Sequence, residues 1–163
     1  TVFQEDDGSC WLFYASRRNA DLHATRLTDD FLGVETEYAV LFPGQFREAP
    51  ALHRHAGRYY LFTSGCTGWF PNPAQCAVAD HPFGPWTPLG NPCRGTPRQV
   101  ERTFDSQITF ILPLADRPEA AIVMADRWNP ENLRDSRYVW LPLQWDGIRP
   151  WFEWQDRWSL DAA

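Results

Sequence analysis

Apolar and polar positions along this chain follow a strand-length rhythm, and no segment sustains a helical period. Thr1-Val2-Phe3-Gln4 reads as a strand, and Glu5-Asp6-Asp7-Gly8-Ser9 as a hairpin turn of the Asp-Gly type. Cys10-Trp11-Leu12-Phe13-Tyr14-Ala15-Ser16 is a continuous apolar run, as a strand buried on both faces would be. Asp21 to Leu27 alternates loosely through Leu22, Ala24 and Arg26 and reads as a third strand. Asp29-Asp30 with Gly33 turns the chain, and Glu37 to Phe42 supplies a short fourth strand.

The pattern then restarts twice. Ala49 to His55, Arg58 to Ser64, Gln75 to Ala79 and Trp86 to Leu89 read as strands. They are separated by Ala56-Gly57, a Gly/Pro/Asn-rich loop from Gly65 to Pro73, and Pro82-Phe83-Gly84-Pro85. Asn91 to Arg102 reads as polar loop. The third set is Gln107 to Leu114, Ala120 to Asp126, Arg137 to Leu143 and Pro150 to Trp154. A four-stranded unit recurring at roughly fifty-residue spacing is the scale of a propeller blade. The predicted fold is therefore an all-β propeller of four-stranded antiparallel blades in one domain over 1–163. The blades fall at about 1–46, 47–104 and 105–160. Propellers typically have about 4–8 blades. Three blades leave two apolar end faces, to be covered by a second copy or by blades outside this sequence. Thr1 opens almost inside a strand pattern, as a segment of a longer protein would.

Composition narrows the partners. The 163 residues carry a net charge of −6, and the sequence pI is about 5.1. No basic stripe is present to neutralise phosphates, so nucleic acid is not an expected partner. No apolar run is long enough to span a bilayer as a helix, and no signal peptide is recognisable. Nine Trp and eleven Phe beside a single Met indicate aromatic-rich strands and candidate sugar-stacking platforms. The four Cys, at 10, 66, 76 and 93, lack C-x-x-C metal spacing. Cys10 lies in an apolar strand pattern and reads as a buried thiol. The cysteine count is compatible with an exported protein.

The candidate chemistry gathers at strand ends that a propeller brings to its axis. Glu48, in Arg47-Glu48-Ala49-Pro50, stands where a loop enters a sheet beside apolar neighbours. A carboxyl in such a place suits a general acid. Asp105-Ser106-Gln107 occupies the equivalent end of the third unit. Loops between second and third strands contribute Asn19, then Thr67-Gly68-Trp69 with Asn72, then Asp126-Arg127-Trp128-Asn129. An acid, amides, hydroxyls and exposed Trp rings converging on one axis suit a sugar pocket. Asn72 reads as a turn residue, and Arg127 with Asp135 as an ordinary ion pair. His53 and His55 share a strand face, but no third ligand is in sight, so neither metal nor cofactor is expected. The sequence has no G-x-S-x-G, no Gly-rich phosphate loop and no H-E-x-x-H.

Several motifs together resemble glycoside hydrolase family 43. They are Arg47-Glu48-Ala49-Pro50, Thr63-Ser64-Gly65-Cys66-Thr67-Gly68-Trp69, Gly84-Pro85-Trp86, Thr103-Phe104-Asp105-Ser106-Gln107, Asp126-Arg127-Trp128-Asn129-Pro130 and Asp135-Ser136-Arg137-Tyr138-Val139-Trp140-Leu141-Pro142. More narrowly they resemble its exo-β-1,3-galactanase branch, and the likeness runs over essentially the whole chain. The resemblance implies a five-bladed propeller, of which this chain is similar to the later three blades. It implies hydrolysis with inversion, Glu48 as general acid, and Gln107 where a base is expected, orienting water. It further implies a Cys66–Cys93 disulfide and a secreted or periplasmic location. The family's acidic residue that tunes the acid precedes the position of Thr1.

The expected function is thus exo-acting, inverting hydrolysis of β-1,3-galactan or a similar β-galactosyl-containing polysaccharide. Substrate contacts are expected from Asn19, Thr67, Trp69, Asp105, Asp126, Arg127 and Trp128. An inverting pair stands about 6.5–9.5 Å apart with water between, and Glu48 and Gln107 on adjacent blades are expected to meet that spacing. Self-association, with a dimer favoured, is expected to cover the end faces. The alternative is a carbohydrate-binding propeller remnant without a complete acid/base set.

Overall fold

The computed structural model describes residues 1–160. Among them the chain forms three sheets in sequence order. The first comprises β1 (Val2–Gln4), β2 (Cys10–Ser16), β3 (Asp21–Leu27) and β4 (Val34–Leu41), each antiparallel to the next. The second comprises β5 (Arg47–His55), β6 (Arg58–Gly65), β7 (Gln75–Ala79) and β8 (Thr87–Gly90), again antiparallel throughout. The third contains β10 (Gln107–Leu114), β11 (Arg117–Arg127), β12 (Arg137–Asp146) and β13 (Arg149–Glu153). It also recruits β9 (Cys93–Arg94), which runs parallel to β13.

The all-β fold read from the sequence is what forms, with two departures. The third sheet has five strands rather than four, because Cys93–Arg94 leaves the second repeat and pairs with Phe152 and Glu153. The segment read as polar loop also holds a short helix, α1 (Pro97–Glu101). Thr96 caps it by accepting from the Gln99 backbone while the Gln99 side chain reaches back to the Thr96 N–H, and Pro97 occupies its first turn. Five residues are too few to display a helical period, so only the cap signalled it.

The sheets stack face to face through two cores. Phe13, Leu22 and Ala24 of the first sheet meet Leu52, Leu61 and Ala77 of the second. Tyr60, Phe62 and Val78 of the second meet Ile111, Val123 and Leu141 of the third. Direct cross-strand partners share a face, so Phe13↔Ala24↔Ala39 points inward while Tyr14↔His23↔Val40 points outward. The third sheet likewise turns Phe110, Tyr138 and Trp140 away from its core. Both ends of the stack thus carry exposed aromatic and aliphatic side chains. The leading strands lie together, β10 beside β5 and β1 beside β5, so the chain's polar strand ends meet on one side.

Candidate functional site

Glu48 owes its direction to an irregularity in β5. Glu48 pairs with Ser64 and Ala51 with Phe62, so Ala49 and Pro50 together oppose Thr63 alone. This is a β-bulge, which bends a strand and re-aims the neighbouring side chain. Pro50 has no ladder donor to lose there. Ala49 takes φ 48°, a left-handed conformation that costs a residue with Cβ about 1–2 kcal/mol. Arg47 anchors the bulge from the buried side. Its guanidinium donates to Gln45 at 2.9 and 3.1 Å and to Thr63 Oγ1 at 3.4 Å, and lies over the Phe42 ring at 4.2 Å.

Gln107 reaches the same point from the third sheet. Its Nε2 donates to Glu48 Oε1 at 3.2 Å and to Ser64 Oγ at 2.8 Å. It follows a left-handed turn in which Thr103, Phe104 and Asp105 have φ 46°, 56° and 57°. Three such residues in succession form only where surrounding contacts over-determine them. Thr103 Oγ1 donates to the Asn72 carbonyl at 2.7 Å and accepts from the Ala74 N–H at 2.8 Å. The Phe104 ring is buried edge-on to Phe152, and Arg127 Nη2 donates to the Phe104 carbonyl at 2.5 Å.

Beside this junction lies a cleft of about 460 Å³, whose lining includes Ser64, Trp69, Asn72, Asp105, Gln107 and Trp128. Trp69 and Trp128 stand edge to face with centroids 5.5 Å apart, and are 50 % and 39 % exposed. They remain free because the loop carrying Trp69 is folded on itself. Asn72 closes it by accepting from the Gly65 N–H and donating to the Gly65 carbonyl and to Thr67 Oγ1. Two exposed indoles, an amide, hydroxyls and a carboxylate around one cleft provide stacking faces and hydrogen bonds for a sugar ring.

The residues singled out in the sequence divide accordingly. Trp69, Asp105, Gln107, Arg127 and Trp128 line the cleft, and Glu48 joins it through Gln107. Asp126 is the cross-strand partner of Gln107, and burial raises its carboxyl pKa. Thr67 shapes the Trp69 loop, donating to the Phe70 carbonyl at 2.5 Å, rather than lining the cleft. Asn19 lies exposed in the β2–β3 turn of the first sheet, away from the cleft lining.

Three expectations are corrected. Cys66 and Cys93 are free thiols, as are Cys10 and Cys76. The Cys66 thiol lies beside Glu48, and burial together with that carboxylate raises its pKa. Cys93 lies in the core against Thr103, its thiol pushed up to about 12 by burial. Arg127 does not pair with Asp135: it donates to Phe104 and lies over the Trp154 ring at 5.3 Å, while Asp135 pairs with Arg137. Glu48 and Gln107 are in direct contact, too close for a water between them. Reasoning from sequence also passed over Ser64, Arg98 and Arg102. Ser64 was legible as the hydroxyl next to Gly65; the arginines lay in what read as loop.

The family model described as glycosyl hydrolases family 43 matches residues 1–106. A family 43 β-1,3-galactosidase solved with galactodeoxynojirimycin is 43 % identical, with a TM-score of 0.93 over 98 % of this chain and 46 % of its own. An exo-β-1,3-galactanase from Phanerochaete chrysosporium, solved with galactose, is 35 % identical, with a TM-score of 0.83 over 93 % of this chain and 34 % of its own. A β-D-galactofuranosidase from Aspergillus niger is 32 % identical over 143 residues, 83 % of this chain and 39 % of that protein. The chain thus spans less than half the length of these relatives. Its sheets are blades of the same propeller, and with both its sequence and its stacked blades shared in this way, the chain belongs to family 43 of the glycosyl hydrolases.

Proposed function

We propose that this chain carries the acid-bearing side of an exo-acting, inverting galactanase site, cleaving terminal β-1,3-linked galactosyl units. One observation carries the reading: Glu48 and Gln107, from different blades, meet at the edge of a cleft walled by Trp69 and Trp128. Glu48 donates the proton to the departing glycosidic oxygen. Gln107 donates its amide hydrogens to Glu48 and Ser64, and its carbonyl oxygen is the acceptor that orients a water. Inversion needs about 6.5–9.5 Å between the two groups. Substrate entry therefore opens the 3.2 Å contact, and the sugar takes its place.

Reducing-sugar release from β-1,3-galactan tests this. Activity abolished by Glu48→Gln, with NMR showing the inverted anomer first, is the expected result; unchanged turnover in that variant overturns the assignment. The short Glu48–Gln107 contact also favours a second reading, a module that binds galactan without turnover. Saturable binding with no sugar release selects it.

The two apolar end faces, marked by Tyr38 and Val40 at one end and Phe110 and Trp140 at the other, are proposed to cover each other in a head-to-tail dimer. Two copies give six blades, within the usual range of about 4–8. Light scattering after size-exclusion chromatography reads the mass directly, and a folded monomer at micromolar concentration rejects the dimer.

A further inference from the structure

The cleft is charged against the sign of the chain. Its lining includes Arg98, Arg102 and Arg127 against the carboxylate of Asp105, with Glu48 at its edge, in a chain of net charge −6. Arg102 spends its charge on Asp105, with Nε 2.5 Å from Oδ1. The other two guanidiniums have no carboxylate partner among the described residues. Arg98 projects exposed from α1. Arg127 gives Nη2 to a neutral carbonyl, while its Nε is buried without a hydrogen-bond partner. A neutral galactan offers these cations only hydroxyls. Guanidinium groups instead match planar or tetrahedral oxyanions, with charge-assisted bonds about twice as strong as neutral ones.

We propose that the cleft selects saccharides bearing an anionic substituent, the carboxylate of a uronate or a sulfate ester. Trp69 and Trp128 stack the sugar ring, and Arg98 and Arg127 hold the charge. This rests on the reading of the cleft as a sugar site and adds its ligand class. The low-dielectric Trp walls concentrate the positive field, so the preference is strongest at low ionic strength.

Titration calorimetry on the purified chain tests it with three ligands of equal length: neutral β-1,3-galactobiose, a glucuronosyl-galactose, and a sulfated galactobiose. The expected result is about tenfold tighter binding of an anionic ligand than of the neutral one. That ratio falls towards one at high salt and in Arg98→Gln. Arg98 is exposed and makes no ion pair, so the variant folds, and circular dichroism verifies this. The arm that gains most identifies carboxylate or sulfate. Equal affinity for all three overturns the anion selectivity while leaving the galactan reading intact. Anionic binding without any neutral binding keeps the selectivity and removes the galactan reading. No binding of any ligand removes both.

Discussion

Glu48 and Gln107 are 59 residues apart in sequence and 3.2 Å apart in space. No local rule links them; the bulge at Ala49-Pro50 and the left-handed turn at Thr103-Phe104-Asp105 bring them together. Gln107→Glu sets two carboxyls at that contact, where they share one proton. The pair then ionises in two steps, one of them above the ordinary carboxylate range. A carboxyl NMR titration of the variant is expected to show that late step. Two independent, ordinary titrations mean the residues are not neighbours in solution.

Thr103 ties the Trp69 loop to the turn before Gln107 through its bonds to Asn72 and Ala74. Thr103→Val keeps the shape and the β-branch but leaves the buried Ala74 N–H unpaired. The expected loss is about 1–3 kcal/mol, read as a lower urea midpoint at constant slope. Thr103→Ser retains the hydroxyl and recovers most of it. A valine variant as stable as wild type places no weight on this tie.

Stability should fall on mild acidification. His53 is buried beside His55, which stacks on Trp145 at 3.7 Å. Burial, then the charge of His55, lowers the His53 pKa to about 4. Above the ordinary value of about 6.5 the imidazole is neutral in both folded and unfolded chains and contributes nothing. Between there and about 4 the unfolded chain takes up the proton and the folded one does not, so stability declines by up to about 3 kcal/mol. Below that both are protonated and the His53 contribution is level. Urea unfolding at pH 7, 5 and 4 reads the decline, and His53→Phe should flatten it; an unflattened slope assigns it to other groups.

Peptide mapping without reduction should find four thiols and no bridge. Cys66, half-buried while the other three are buried, is expected to alkylate first. Cys76 and Cys93 should wait for unfolding, because burial holds both thiols protonated. A Cys66–Cys93 peptide would reinstate the disulfide.

The hydrophobic rhythm alone determined the all-β class, the three repeats and most strand limits. Strands at Asp21–Leu27, Gln75–Ala79 and Gln107–Leu114 form as the alternation and turn residues dictate, because side-chain period and turn chemistry are local properties of the chain. The same motifs marked Glu48, Gln107, Trp69 and Trp128. Tertiary structure alone decided the rest. Pairing of Cys93–Arg94 with a strand some sixty residues later, the Glu48–Gln107 contact and the partners of Arg127 all depend on how whole sheets stack. Distances between side chains on different blades follow from the fit of buried faces such as Phe62 against Val123 and Leu141, and no short-range pattern encodes them.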